Sequence, residues 1–191
     1  MPLPFYTIGH STRPLGEFVA LLQAVEAGLV ADIRRIPRSR TNPQFNTATL
    51  PAALAGYGIG YEPMAALGGR RDHTPEAPAG GNDFWTNASF RNYAFSAAAT
   101  AAFQTGLSHL LAAGRARRCA IMCSEAVWWR CHRRIVADYL LARGETVIHI
   151  MGQGRLEPAR LTPGALVGPD GTIAYPAAGS DSLRNDSPRL P

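Results

Sequence analysis

Apolar positions along the 191-residue chain fall into short runs separated by polar turns, and the spacing within a run tells strand from helix. Phe5-Tyr6-Thr7-Ile8-Gly9 reads as a short buried strand. A helix follows, with Pro14 in its first turn, Phe18, Leu21, Leu22 and Val25 on one face, and Gly28 as its stop. Residues 29–33 form a second strand, 49–55 a short helix and 59–61 a third strand. Residues 72–83 are rich in Pro and Gly, a loop long enough to act as a lid or to stay mobile. The stretch 90–113 reads as one helix, with Phe95, Phe103, Leu107, Leu110 and Leu111 for its core face. A fourth strand over 119–123, a helix over 131–143 stopped by Gly144, and a fifth strand over 146–151 complete the regular pattern. Beyond Gly152 the pattern weakens to a small hairpin around 167–173.

Short apolar strands alternating with helices predict an α/β fold with a mainly parallel sheet of about five strands and helices on both faces. The sheet is either open and doubly wound or an incomplete barrel. Residues 1–175 are expected to form a single α/β domain, and 176–191, rich in Ser, Asp, Asn and Pro, a surface tail.

Composition narrows the class. With 46% hydrophobic residues the chain is globular, and its apolar runs are far shorter than a membrane span. No basic segment followed by an apolar stretch opens the chain, so a soluble cytoplasmic protein without a membrane partner is expected. Three cysteines do not complete a disulfide framework, which favours reduced thiols. The net charge of +5 arises from nineteen arginines and no lysine. It is focused: residues 30–40 carry +3 and residues 115–134 carry +5, leaving −3 for the rest. Such focusing suits a small anionic ligand, a phosphate or nucleotide, or a nucleic acid.

Each unusual polar cluster lies just past a strand end, where parallel α/β sheets bind ligands. His10 and Ser11 follow the first strand, Asp32 and Arg34 the second, Glu62 with Gly68 and Gly69 the third, and Cys123 and Glu125 the fourth. Cys119 and Cys123 share one strand face, but only Cys123 sits at the open end, near arginines and a following helix N-terminus that favour its thiolate. Cys123 is the candidate nucleophile or ligand, and His10, His132 and Glu125 are candidates for proton handling. Arg34 and Arg133 are expected to hold the anion, with Asp32, Ser11, Gly68 and Gly69 completing its site. The alternatives are a salt bridge closing the rim for Asp32 and Arg34, and a core histidine for His132. Arg134 reads as a surface residue paired with Asp138 four positions on. Trp128 and Trp129 could stack a base, with one of them in the core.

The phosphate cradle of cysteine phosphatases and sulfurtransferases is not assigned, because Trp129 stands where that cradle requires its arginine. No cofactor is expected. A metal held by Cys123, Cys131 and His132, with His10 as a further donor, is an alternative, although no Cys-x2-Cys pair occurs. A non-catalytic nucleic-acid-binding protein is the other alternative to an enzyme. In order along residues 5–150, Thr7-Ile8-Gly9-His10-Ser11, Asp32-Ile33-Arg34 with Pro37 and Ser39, Leu67-Gly68-Gly69, the Phe90 and Tyr93 region, and Cys123-Ser124-Glu125 with Cys131-His132-Arg133 resemble the bacterial family called domain of unknown function 488. The resemblance implies a small α/β domain whose signature residues gather at one site, and it supplies no reaction.

Overall fold

The computed structural model describes residues 2–69 and 81–177. Five parallel strands make up most of one sheet: β1 (Phe5–Gly9), β2 (Leu29–Asp32), β3 (Gly60–Pro63), β4 (Cys119–Cys123) and β5 (Val147–Gly152). A sixth strand, β6 (Arg155–Pro158), adds antiparallel to β5 at one edge, giving the order β3-β2-β4-β1-β5-β6. The sheet is open, so the barrel alternative falls away. β7 (Leu166–Val167) and β8 (Ile173–Ala174) form the small hairpin.

Every residue of β1, β2 and β4 is buried, as strands covered on both faces must be. Alternation then sends side chains into two cores. Tyr6, Ile8, Val30, Ala120 and Met122 pack against Phe18 and Leu22 of α1 (Leu15–Ala24) and Leu50 and Leu54 of α2 (Leu50–Ala55). Phe5, Ala31, Ile121 and Cys123 pack on the other side with α3 (Ala88–Ala99), α4 (Ala101–Ala116) and α5 (Arg133–Leu141).

Several boundaries differ from the pattern-based expectation. Helix α1 ends before Gly28: Glu26 takes the left-handed conformation (φ 52°), and Ala27 N–H reaches back to Leu22 O at 2.9 Å, closing the helix in a Schellman turn. The single helix expected over 90–113 is two. Thr100 is extended (φ −105°, ψ 130°), its hydroxyl donates to Ser96 O at 2.8 Å, and it accepts from Phe103 N–H at the start of α4. Residues 131 and 132 precede α5 rather than opening it. The Pro/Gly-rich loop lies outside the described residues except for 81–83, and so does the tail from 178 onward.

β1 leads into α1 on one face, whereas its neighbour β4 leads into α5 on the opposite face. The carboxyl ends of β1 and β4 therefore flank a crevice where the winding reverses, the place such sheets leave open for ligands.

Candidate functional site

The crevice floor is main chain. Parallel pairing continues past the strands, with His10 N–H donating to Cys123 O and Ser11 N–H to Ser124 O, both at 2.9 Å. Ile33 N–H likewise donates to Met122 O at 3.1 Å. Ser11 makes the turn out of β1 at φ 49°, a conformation that costs free energy outside glycine and is held here by that ladder. At Gly9 a Cβ would lie 1.8 Å from Glu125 O, so only glycine admits this approach of the two loops.

On the α1 side of the floor, Asp32 is fully buried and brackets Arg34. Arg34 Nε donates to Asp32 Oδ1 at 2.9 Å and Nη2 to Oδ2 at 2.6 Å, while Tyr61 OH donates to Oδ2 at 2.7 Å. Burial, with the Asp32 carboxylate, pushes Tyr61 up to about 12, so its hydroxyl stays a donor. Arg34 Nη2 also donates to Phe45 O at 2.6 Å. His10 stacks on Phe45, ring centroids 4.3 Å apart. Its Nδ1–H donates to Ser11 O at 2.8 Å, which leaves Nε2 as the acceptor of Arg34 Nη1 at 3.1 Å. Burial and the neighbouring guanidinium hold His10 below the usual histidine range. Both its nitrogens are engaged, and its visible work is to fix Arg34. One Nη1 hydrogen of Arg34 has no partner among the described residues.

On the α5 side stands a thiol–imidazole group. His132 Nε2–H donates to Ile33 O at 3.2 Å, turning Nδ1 toward two sulfurs, Cys131 Sγ at 3.7 Å and Cys123 Sγ at 3.8 Å. Gly69 closes over this ring; a Cβ there would lie 2.4 Å from Nδ1. The Cys131 thiol hydrogen-bonds Cys123, and with His132 and the Arg133 guanidinium nearby it holds Cys123 well below the usual thiol range in spite of burial. Burial and the charge of Cys123 push Cys131 well above that range. Cys119, at the closed end of the strand, is pushed up to about 12 by burial and stays protonated.

These groups open into a cavity of about 670 Å³. Its wall includes His10, Ser11, Arg34, Gly69, Cys123, Glu125, Cys131 and His132 from the expected set. Sequence reasoning had not singled out Arg35, Arg38 and Arg130, which also line it, although all three lie in the two basic segments that the charge count marks. Four arginines thus line the cavity, against one carboxylate, Glu125, among the described residues.

Other candidates sit apart. Arg133 is 1% exposed and off the cavity wall; Nη2 donates to Glu125 O at 2.8 Å, while Nε and Nη1 are buried without a hydrogen-bond partner among the described residues. Gly68 packs against Arg35, and a Cβ there would meet Arg35 Cβ at 2.7 Å. Asp32 stands behind Arg34 rather than on the wall. Trp128 stacks on His149 at 4.5 Å and leaves the outer position to Trp129, which is exposed. Arg134 is no surface partner of Asp138. It is half-buried over Trp85, with its guanidinium carbon 4.8 Å from the ring centroid, and Nε donates to Thr162 Oγ1 at 2.9 Å. Asp138 is fully buried and accepts from Thr162 N–H and Tyr175 OH.

A family model described as domain of unknown function DUF488 matches residues 14–140, from α1 through nearly all of α5. The chain belongs to this family. The matched stretch contains Asp32, Arg34, Gly69, Cys123, Cys131 and His132, while His10 and Ser11 fall before it. No curated protein and no solved structure matches the chain.

Proposed function

We propose that the crevice is the active site of a thiol-dependent enzyme acting on an anionic, phosphate-containing ligand. The observation that carries this reading is the Cys123 sulfur 3.8 Å from His132 Nδ1, inside a cavity lined by four arginines. The imidazole is oriented from behind by Ile33 O, the three-part logic of an activated nucleophile. Cys123 attacks the electrophilic atom of the ligand. A bond from sulfur forms, the bond to the leaving group breaks, and the proton that His132 took from the thiol passes to that group. Arg34, oriented by Asp32 and His10, offers its uncommitted N–H to the anion, and Arg130 and Arg38 add positive potential. Glu125 is the carboxylate on the wall and serves as the further acid/base group. Cytoplasmic residence, which keeps thiols reduced, goes with this reading.

The test is the alkylation rate of Cys123 by iodoacetamide, with and without inorganic pyrophosphate. Fast reaction at neutral pH that pyrophosphate slows, and that Cys123→Ser removes, is the expected result. A Cys123 that reacts no faster than a free thiol and ignores pyrophosphate would refute the proposal.

A second reading rests on the same three groups. The ligand atoms of Cys123, Cys131 and His132 lie within 4.8 Å of one another, and a metal-binding histidine commonly donates its other N–H to a carbonyl, as His132 does to Ile33 O. Two sulfurs and one nitrogen suit zinc, with a fourth position toward the cavity. Elemental analysis of purified protein decides between them: about one equivalent of zinc, with Cys123 protected until chelation, selects the metal.

A further inference from the structure

The cavity does not end at Arg38. A second concavity of about 610 Å³, lined by Arg38, Ser39, Arg40, Asn46, Thr47 and Ala48, shares Arg38 and Ser39 with the first. The two form one trough running from Cys123 outward along the loop between β2 and α2. Across residues 33–61 the chain has four arginines and no Asp or Glu. Arg38 and Arg40 bring guanidinium donors and Asn46 an amide to this wall, groups able to donate to phosphate oxygens.

The loop that carries this trough is preorganised. Ser39 N–H donates to Asn46 Oδ1 at 2.6 Å, and Asn46 Nδ2 returns to Ser39 O at 3.2 Å. Asn42 N–H donates to Ser39 Oγ at 3.0 Å and Thr47 N–H to Pro37 O at 3.2 Å. Phe45 anchors it, fully buried between His10 and Phe18.

A cavity of about 670 Å³ already suffices for a mononucleotide-sized ligand. The basic extension beyond it is of use to a ligand with further phosphates. Cys123 is only 5% exposed at the bottom, so paired and stacked bases of a duplex cannot reach it, whereas an unpaired end can. Phe90 on the cavity wall supplies an aromatic side chain on which a base can stack.

We infer that the anionic ligand is a single-stranded phosphodiester chain whose end enters the Cys123 cavity and whose next phosphates run over Arg38 and Arg40. This rests on the reading of the cavity as an anion site and names the substrate class for it.

The experiment is fluorescence anisotropy of the full chain with labelled thymidylates of one, two and four nucleotides, across a salt series, with inorganic polyphosphate as competitor. The tetranucleotide is expected to bind at least ~10-fold more tightly than the mononucleotide. Its log affinity should fall with log salt more steeply by about 1.4, the equivalent of two further phosphate contacts. Arg40→Ala, an exposed position, should lower the tetranucleotide's advantage several-fold and reduce the slope by about 0.7. Equal affinity for one and four nucleotides, or an Arg40→Ala chain that keeps the whole advantage, overturns the inference while leaving the anion site standing. Polyphosphate competing as well as an equal length of oligonucleotide overturns the nucleic-acid assignment. Failure of every thymidylate to bind overturns the inference, and the anion site falls with it only when pyrophosphate also leaves the alkylation of Cys123 unchanged.

Discussion

Acid should unfold this protein through His149 before it exhausts the carboxylates. His149 is 2% exposed, with Nδ1 2.7 Å from Thr7 Oγ1 and its ring stacked on Trp128. Burial, reinforced by the nearby Arg133 charge, lowers its pKa from 6.5 to about 4. The folded value lies below the unfolded one. The contribution is therefore complete above the unfolded value, is lost as pH falls from 6.5 toward 4, and changes no further once both states are protonated. The full difference is worth about 3 kcal/mol, of which about 2 kcal/mol is lost between about pH 7.5 and about pH 5. Urea unfolding at those two pH values, on the wild type and on His149→Gln, isolates the effect. The wild type should lose about 2 kcal/mol more than the variant over that interval, because the variant has no proton to take up there. Parallel pH–stability curves for the two chains would refute the reasoning.

Four further substitutions test the packing. Gly69→Ala should displace His132 and move the alkylation–pH profile of Cys123 toward higher pH, because the imidazole no longer favours the thiolate. Asp32→Ala leaves the Arg34 guanidinium buried beside a gap and should cost about 3–5 kcal/mol in denaturant unfolding. Gly114→Ala places a Cβ 2.0 Å from the Phe5 ring and should destabilise by about 1–3 kcal/mol, whereas Gly16→Ala in α1, with open space around its Cβ, should raise the thermal midpoint slightly.

The central strands were legible because they are buried on both sides and so read as unbroken apolar runs. β6 was not: Arg155-Leu156-Glu157-Pro158 lies at the sheet edge, where solvent allows charge and proline, and it carries no apolar alternation. The break between α3 and α4 was hidden for a different reason. No glycine or proline marks it, only Thr100, whose capping role depends on its hydroxyl finding Ser96 O and Phe103 N–H. In the site, the convergence of strand ends put His10, Arg34, Cys123 and His132 together from sequence alone. What one dimension could not convey was depth. Arg133 and Arg134 are neighbours in sequence, yet one is sealed beneath the Glu125 carbonyl and the other lies across Trp85. The partnership of Cys131 with Cys123 likewise depends on the loop at 124–130 folding back, which no periodicity records.

The pairing of His10 and Ser11 with Cys123 and Ser124 has a mechanical meaning. The loop after β1 and the loop after β4 are stitched edge to edge, and the Gly9–Glu125 contact leaves no slack between them. Together they form one braced unit that carries the thiol, the carboxylate and the histidine bracing Arg34. The spacing between the sulfur and the brace on Arg34 is therefore set before any ligand arrives, and a ligand has to match it.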